Sequence, residues 1–117
     1  MPTMNAAKLN TYYGISGQGE ALVFIHGLGS SSQDWAYQVP FFAEQYQVLT
    51  YDVRGHGQRK KVKGPYSVAM FATDLADLLK ELKIEKAHFV GLSMGGWIAF
   101  QFGVDYPQMT QSLTIVN

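Results

Sequence analysis

A serine flanked by two glycines, in the stretch Gly91–Gly95 (Gly-Leu-Ser-Met-Gly), carries the clearest chemical signal in the sequence. The residues before it, 87–90, are mostly apolar, and a helical pattern begins at Gly96. Gly-x-Ser-x-Gly between a strand and a helix predicts a sharp turn that strains the backbone of the serine. Glycine on either side removes side chains that would collide across this turn. The Ser93 hydroxyl would then project from a strand end beside free N–H groups at a helix start, which suits acyl transfer.

A serine hydroxyl becomes a good nucleophile only when a base takes its proton, and that base needs an acid to orient it. Of the 117 residues, only 24 follow Ser93, and none of them is histidine. The sole acid among them is Asp105, at the far end of the helical pattern that leads away from the turn. The sequence therefore presents a nucleophile without an evident catalytic partner.

Composition indicates one small globular domain over residues 1–117 and limits its partners. Hydrophobic residues make up 47% and charged residues 15%, which is typical of a folded chain. Nine basic and nine acidic residues give zero formal net charge, so nothing indicates nucleic acid or a membrane surface. The absence of cysteine excludes thiolate metal sites and allows a reducing compartment. We expect a cytoplasmic protein, and we expect neither a metal nor a cofactor because no motif for either is present.

Apolar runs alternate with helical patterns, which predicts βαβ units and a parallel sheet. Strands are predicted at 21–25, 47–51, 87–91 and 112–116, preceded by one or two short strands within 9–15. Helices are predicted at 33–46 with Ser32 as the cap, from Ser67 to about 82, and at 94–105. In the second helix Asp74 is expected on the polar side, opposite an apolar stripe.

Four short motifs in this order resemble the N-terminal half of the α/β-hydrolase superfamily. They are Phe24–Gly27, Tyr51–Gly57, Val90–Gly96 and Leu113–Asn117, and the resemblance extends from about residue 9 to residue 117. The chain looks most like the small bacterial carboxylesterases, enol-lactonases, carbon–carbon bond hydrolases and cofactor-free haloperoxidases. Epoxide hydrolases and haloalkane dehalogenases are similar in layout but carry aspartate at the nucleophile, and Ser93 argues against both.

The resemblance implies an α/β fold: the N-terminal portion of an α/β-hydrolase, with helices on both faces of a mostly parallel sheet. The first two strands would lie at one edge, followed in space by the fourth, third, fifth and sixth. A complete member would continue past Asn117 with a cap segment and two more strand–helix units, which carry the acid and then the histidine. Residues 1–117 would therefore be a partial core.

The resemblance also assigns two backbone N–H groups to an oxyanion hole. One belongs to Met94, directly after the nucleophile, and the other to Leu28, which follows His26 and Gly27. Loop geometry decides between Leu28 and Gly29 for the second group. Fixed backbone dipoles of this kind lower the barrier by about 3–4 kcal/mol each.

None of the three histidines is the preferred base. For His26 we favour a structural role, in which its ring holds the loop through hydrogen bonds to the backbone. His56 lies in a loop at the same edge of the sheet and is expected to stabilise a turn. His88 precedes Ser93 by five residues, about 16 Å along a strand, which places it at the wrong end.

Other polar and aromatic residues near the predicted site have two interpretations. Asp52 and Arg54 are expected to form a loop-bracing pair rather than to contact substrate. Trp35 and Trp97 either flank the pocket mouth or occupy ordinary helical packing positions. Arg59 stands where relatives usually have a serine followed by aspartate, and it begins the basic run Arg59–Lys63, for which we favour a solvated loop over an anion site.

Two functions remain open at this point. In the first, Ser93 attacks the carbonyl of an ester or lactone, Met94 and Leu28 hold the oxyanion, and the base and acid come from sequence absent here. In the second, the chain is a truncated or split piece without activity of its own. It would associate with itself or with a complementary C-terminal chain through its exposed last strand, 113–116.

Overall fold

The computed structural model describes residues 3–6, 11–54 and 67–116, so His56 and the basic run 59–63 lie outside the described residues. Within the described residues, six strands form one sheet: β1 (Thr3–Ala6), β2 (Thr11–Ser16), β3 (Glu20–Ile25), β4 (Tyr46–Tyr51), β5 (Ala87–Leu92) and β6 (Thr110–Val116). Their order in space is β1-β2-β4-β3-β5-β6. The strand order that the resemblance implies is therefore confirmed.

Parallel pairing dominates the inner part of the sheet. β3 pairs in parallel with β4 on one side and with β5 on the other, and β5 pairs in parallel with β6. β1 and β2 form an antiparallel pair, and β2 also runs antiparallel to β4. The four predicted strands of the parallel part are confirmed to within two residues. β1 lies upstream of the predicted 9–15 region, because four mixed residues give no periodic signal and only pairing with β2 defines the strand.

In the described segments, three helices connect the strands: α1 (Gln38–Phe42), α2 (Val68–Glu81) and α3 (Met94–Asp105). Short 3₁₀ turns occupy Ser32–Trp35 and Pro107–Met109. Ser67 caps α2 as predicted, since its side chain accepts the N–H of Met70 at 3.1 Å. In the described part of the chain, no helix has the length and apolar character that a membrane span requires.

The single helix predicted over 33–46 is wrong, because the segment divides into a 3₁₀ turn and the five-residue helix α1. Pro40 explains the break. It has no N–H to donate to the carbonyl of Ala36, and its ring would clash there, but it is tolerated in the first turn of α1. The predicted cap is also displaced by one residue: the side chain of Ser31, not of Ser32, accepts the N–H of Gln33.

The two faces of the sheet bury separate apolar clusters. On one face, α2 and α3 pack against the central strands, and the rings of Phe89 and Phe102 lie 4.6 Å apart. On the other face, Trp35 stacks on Phe24 with centroids 4.6 Å apart, beside α1. Helical segments therefore cover both faces of the central strands, as the fold requires.

Asp74 is buried, which corrects its assignment to the polar side of α2. Its carboxylate receives two hydrogen bonds from the guanidinium of Arg54, from Nε at 2.8 Å and from a terminal nitrogen at 2.6 Å. The bidentate pair makes the burial tolerable, because each charge replaces part of the other's lost hydration. It also fixes the chain just after β4 to the middle of α2.

We expect Arg54→Ala to destabilise the fold by about 2 kcal/mol, because it leaves the Asp74 carboxylate buried without this partner. The side chain of Arg54 is 25% exposed, which keeps the cost below that of a fully buried pair. The measurement is the free energy of unfolding in urea.

Asp77→Ala is the matched control, since Asp77 lies on the same helix, is half-buried and has no ion pair among the described residues. A double-mutant cycle with Asp74→Ala should show strong coupling between positions 54 and 74. Additive effects of the two substitutions would contradict the account of this pair.

Candidate active site

The turn between β5 and α3 holds Ser93 in a strained conformation. β5 ends at Leu92 and α3 begins at Met94, so Ser93 alone reverses the chain. Its φ of 55° and ψ of −114° lie where an L-residue with a side chain rarely occurs. The N–H of Ser93 donates to the carbonyl of Val116 at 2.8 Å, and its own carbonyl accepts the N–H of Gly96 at 2.9 Å. The residue is exposed, so the hydroxyl is open to solvent.

Two glycines permit this turn because carbonyl oxygens of other residues occupy the positions that their Cβ atoms would take. A Cβ on Gly91 would overlap the carbonyl oxygen of Gly95. A Cβ on Gly95 would overlap the carbonyl oxygens of Ile25 and His26 at the end of β3. The first turn of α3 is therefore packed directly onto the end of β3, and the loop that follows β3 begins beside Ser93.

The loop after β3 forms a tight turn next to Ser93. The N–H of Ser30 donates to the carbonyl of Gly27 at 3.2 Å, and Gly29 has a φ of +75°, which closes a tight turn. A Cβ on Gly27 would lie 3.6 Å from the Cβ of Ser93, so this turn adjoins the serine.

Two N–H groups at this corner have no acceptor among the residues that the structure describes. Met94 is the first residue of α3, and the first N–H groups of a helix have no intrahelical partner. In the segments that the structure covers, no hydrogen bond from the N–H of Leu28 or of Met94 is found. Both groups can therefore receive an oxyanion, but their function as donors stays a prediction.

His26 is buried, and both of its ring nitrogens contact the backbone. Its Nε2 accepts the N–H of Val53 at 2.9 Å, so the ring proton is on Nδ1, which donates to the carbonyl of Gly27 at 2.7 Å. The ring therefore joins the loop after β4 to the loop after β3. This geometry agrees with the predicted role of His26 in holding the loop. Both of its ring nitrogens are directed to these backbone groups rather than to Ser93.

Asp52 and Arg54 both brace loops, through partners that the sequence did not indicate. An Asp52 oxygen accepts the N–H of Ser32 at 2.8 Å, while Arg54 binds Asp74 of α2. The signal for Asp74 was present in the helical spacing. Asp74 is three residues after Phe71 and four before Leu78, so it lies within the apolar stripe rather than opposite it.

His88 lies at the opposite end of β5 from Ser93, as the strand length predicts. Its Nε2 contacts a carboxylate oxygen of Glu20 at 2.6 Å, and its Nδ1 contacts the hydroxyl of Ser112 at 2.7 Å. An ionised carboxylate only accepts, so Nε2 carries the proton and Nδ1 accepts from the hydroxyl if the ring is neutral. The ring links three parallel strands at their amino ends.

An open cavity of about 210 Å³ adjoins Ser93 and is lined by Gly96, Trp97, Phe100 and Ile115. Trp97 is therefore next to the candidate nucleophile, whereas Trp35 is stacked in the second apolar cluster. A larger cavity of about 440 Å³ lies on the α1 face, beside Trp35 and His88 and away from Ser93. Among the described residues, no group of three or more acidic, histidine or cysteine side chains is arranged to hold a metal ion.

The sequence profile described as the alpha/beta hydrolase fold matches residues 20–117. The chain belongs to the α/β-hydrolase fold family. The resemblance of the four motifs is thereby confirmed.

Relatives within this family include enzymes of more than one reaction type. The chain is 33% identical to 3-oxoadipate enol-lactonase 2 of Acinetobacter baylyi over 98% of its own length and 44% of that enzyme. It is 32% identical to a soluble epoxide hydrolase of Corynebacterium, over 98% of this chain and 41% of that protein. The crystal structure of the enol-lactonase of Burkholderia xenovorans superimposes with a TM-score of 0.89 at 31% identity, covering 96% of this chain and 45% of that one. The chain thus spans less than half the length of each.

Strain at position 93 predicts an unusual response to glycine. We expect Ser93→Gly to be more stable than Ser93→Ala by about 1 kcal/mol, because glycine adopts this backbone conformation without strain. This relief of strain should exceed the larger conformational entropy that glycine loses on folding. Urea unfolding of both variants measures the difference. At Ser112, in the ordinary strand β6, the order should reverse, and the same order at both sites would contradict the assignment of strain.

The close approach at Gly95 predicts a steric effect. We expect Gly95→Ala to lower the free energy of unfolding by about 3 kcal/mol, because its Cβ would displace the end of β3. Gly27→Ala is the control, since a Cβ there makes ordinary contacts of 3.4 and 3.6 Å and should cost less than about 1 kcal/mol. Equal thermal stability of the two variants would show that α3 is not packed as described.

Proposed function

We propose that this chain supplies the nucleophile and the oxyanion hole of a serine hydrolase that cleaves an ester or lactone through an acyl-enzyme at Ser93. One observation carries the proposal. The strained, exposed Ser93 lies at a corner where the N–H groups of Met94 and Leu28 have no described acceptor. Preorganised donors of this kind, fixed where negative charge develops, are the largest catalytic contribution in many acyl-transfer sites.

The proposed reaction has two steps at one carbonyl carbon. Ser93 Oγ attacks the carbon and its proton passes to a base, while the carbonyl oxygen becomes an oxyanion held by the two N–H groups. The intermediate collapses, the ester or lactone oxygen leaves with a proton, and the acyl group remains on Ser93. Water then attacks the acyl-enzyme and restores the hydroxyl. No cofactor is required, and a cytoplasmic location stays a prediction.

Gly27, His26, Asp52 and Arg54 support this site in the proposal by positioning loops rather than by contacting substrate. His26 and Asp52 connect the chain after β4 to the loop after β3. Gly27 lets that loop approach Ser93 without a side chain between them. Because backbone donors act only when they are fixed, these contacts would contribute to the barrier through geometry.

The relatives favour ester or lactone cleavage over the other reactions of the family. Both the Acinetobacter and the Burkholderia relatives are named as enol-lactonases. Another is named as an epoxide hydrolase, but the resemblance associates that chemistry with an aspartate at the nucleophile position, where this chain has Ser93. A serine attacks carbonyl carbon and forms an ester that water can hydrolyse, which fits the lactonase relatives.

We further propose that the base and its orienting acid come from outside residues 1–117, which would form a partial core. Neither described histidine serves Ser93, since His26 contacts the backbone through both ring nitrogens and His88 is at the far end of β5. The chain also spans only 44% of the Acinetobacter enol-lactonase. A C-terminal segment or a second polypeptide would complete the site.

A second candidate function is association without catalysis, and the exposure of β6 favours it. Leu113, Ile115 and Val116 are each 37–50% exposed, and within the described residues β6 pairs only with β5. An apolar edge of this kind pairs readily with another chain. Sedimentation analysis distinguishes the candidates: dimers that Ile115→Lys dissociates, with no reaction at Ser93, would favour association.

The hydrolase proposal predicts selective labelling by a fluorophosphonate. Once a base is supplied, as in the chimera described below, labelling should occur at Ser93, be lost in Ser93→Ala and persist in Ser112→Ala, the control at a serine that contacts an imidazole. Turnover of a chromogenic ester by residues 1–117 alone should be weak or absent. Peptide mass spectrometry and initial rates provide the readouts. Measurable hydrolysis by the monodisperse 117-residue monomer would contradict the external base.

A chimera distinguishes two reasons for low activity of the chain alone: the base is missing, or Ser93 is not the nucleophile. Residues 1–117 joined to the remaining part of the Acinetobacter enol-lactonase should react about 10²–10⁴ times faster than the chain alone, the usual contribution of a general base. Ser93→Ala in the chimera should abolish this gain. A folded chimera that leaves Ser93 unlabelled would overturn the proposed function.

A further inference from the structure

The three residues that follow β4 are each bound to a different part of the structure. Asp52 accepts a backbone N–H from the 3₁₀ turn after β3, and Val53 donates its N–H to Nε2 of His26. Arg54 binds the Asp74 carboxylate through two hydrogen bonds, of 2.8 and 2.6 Å. Asp74 is 5% exposed and lies in the middle of α2, so this last contact reaches a helix. The ion pair therefore holds one end of the segment that supports His26.

The position of the Val53 N–H decides what the His26 ring can donate. Because this N–H is directed at Nε2, that nitrogen must present its lone pair, and the ring proton is on Nδ1. Nδ1 then donates to the carbonyl oxygen of Gly27 at 2.7 Å. If the Val53 N–H moved away, the proton could occupy Nε2, and Nδ1 would place a lone pair against the carbonyl oxygen. The hydrogen bond to Gly27 would then be lost.

The carbonyl of Gly27 and the N–H of Leu28 belong to one planar peptide unit, in which they point in opposite directions. Gly27 has no Cβ, so its backbone offers little resistance to rotation of this peptide. The described donors to the Gly27 carbonyl are the His26 ring at 2.7 Å and the N–H of Ser30 at 3.2 Å. The peptide is thus an element with alternative orientations, and the His26 ring favours one of them.

We propose that Asp74 is a positioning residue for the oxyanion hole. Through Arg54 it holds the Val53 N–H on the His26 ring, and so keeps the Leu28 N–H in the direction that an oxyanion requires. The inference rests on the proposed function for its effect on the reaction, but its effect on the loop can be measured separately. Replacing both partners of a buried ion pair by apolar side chains often leaves stability unchanged. Direction, rather than stability, is therefore what this pair supplies.

The first experiment observes the Gly27–Leu28 peptide directly. The sequence Gly-Leu occurs twice in the chain, at 27–28 and at 91–92. Labelling glycine with ¹³C at the carbonyl and leucine with ¹⁵N therefore gives two signals in a carbonyl-correlated amide NMR spectrum, and Leu28→Met identifies the first. We expect Asp74→Asn to shift or split the 27–28 signal, because the hydrogen bond to that carbonyl is weakened. The 91–92 signal should stay in place.

The tautomer of His26 is a second readout. Ring ¹⁵N shifts distinguish a proton on Nδ1 from one on Nε2, and single substitutions of the other two histidines identify the His26 signals. We expect the Nδ1–H form in the parent and a larger Nε2–H fraction in Asp74→Asn. Arg54→Lys keeps the charge but not the two-bond geometry, so it should change both readouts in the same direction and to a smaller extent.

Asp77→Asn is the matched control for both readouts. It makes the same chemical change on the same helix, at a half-buried side chain that has no ion pair among the described residues. Neither the 27–28 signal nor the His26 tautomer should change in this variant.

The second experiment measures the reaction in the chimera. Asp74→Asn should lower kcat for a chromogenic ester by about fivefold to tenfold, a part of the roughly 10²–10³ that loss of one oxyanion donor costs. KM should change little, because an oxyanion donor acts in the transition state. The double variant Arg54→Met with Asp74→Leu should regain most of the stability in urea that Asp74→Leu alone loses, but not the lost kcat.

The outcomes separate this inference from the proposed function. An unchanged 27–28 signal and an unchanged His26 tautomer in Asp74→Asn overturn the inference, as do equal changes in Asp77→Asn. Recovery of kcat in the double variant also overturns it, because the pair would then act through stability alone. A changed loop, with Ser93 unlabelled in the chimera, supports the connection from Asp74 to Leu28 and overturns the hydrolase function.

Discussion

The close packing of the start of α3 against the carboxyl ends of β3 and β5 is the contact on which the site depends. At Gly95 the helix lies so near the carbonyls of Ile25 and His26 that no side chain fits between them. Because β5 must enter this helix within one residue, Ser93 takes up the whole change of direction and its φ becomes positive. The same approach sets Gly27 beside the serine, so one packing constraint positions both the Ser93 hydroxyl and the loop that contains Leu28, whose N–H has no described acceptor.

A set of buried hydrogen bonds keeps that corner in place. The His26 ring joins the backbone after β4 to Gly27, and Asp52 receives the N–H of Ser32. A buried polar group that loses its partner costs about 1–3 kcal/mol, more than the net gain of a typical hydrogen bond. The free-energy cost of breaking one of these contacts by moving the loop is therefore larger than the net contribution of that contact to the stability of the fold. Such rigidity is what an electrostatic site needs, since donors that must reorganise contribute little to the barrier.

Sequence reasoning succeeded at the local turn of Ser93, missed one other local signal, and failed where the constraint is tertiary. The turn at Ser93 could be predicted because the two glycines that permit it lie within two residues of it. The break before α1 was also local and was missed, although Pro40 marks it. Asp74 was misplaced because polarity alone assigns it to solvent, and its partner Arg54 is 20 residues away. The apolar cavity escaped prediction because it joins α3 to β6, which meet only in the folded sheet.

Acyl transfer needs both a base and oxyanion donors beside the serine, and Ser112 and Ser93 each have only one of these among the described residues. Ser112 has an imidazole at 2.7 Å whose far nitrogen contacts a carboxylate, yet it lies within strand β6, paired with β5. Ser93 has the reverse: a strained exposed hydroxyl and two nearby N–H groups without a described acceptor, but no described imidazole. A general base supplies about 10²–10⁴ in rate, and one oxyanion donor supplies about 10²–10³. Of these two serines, Ser93 alone adjoins N–H groups without a described acceptor, so a base brought to it would complete the site that we propose, whereas the Ser112 imidazole contact lies within a paired strand. Backbone packing at the ends of β3 and β5, rather than the nearest histidine, therefore favours Ser93 as the candidate nucleophile.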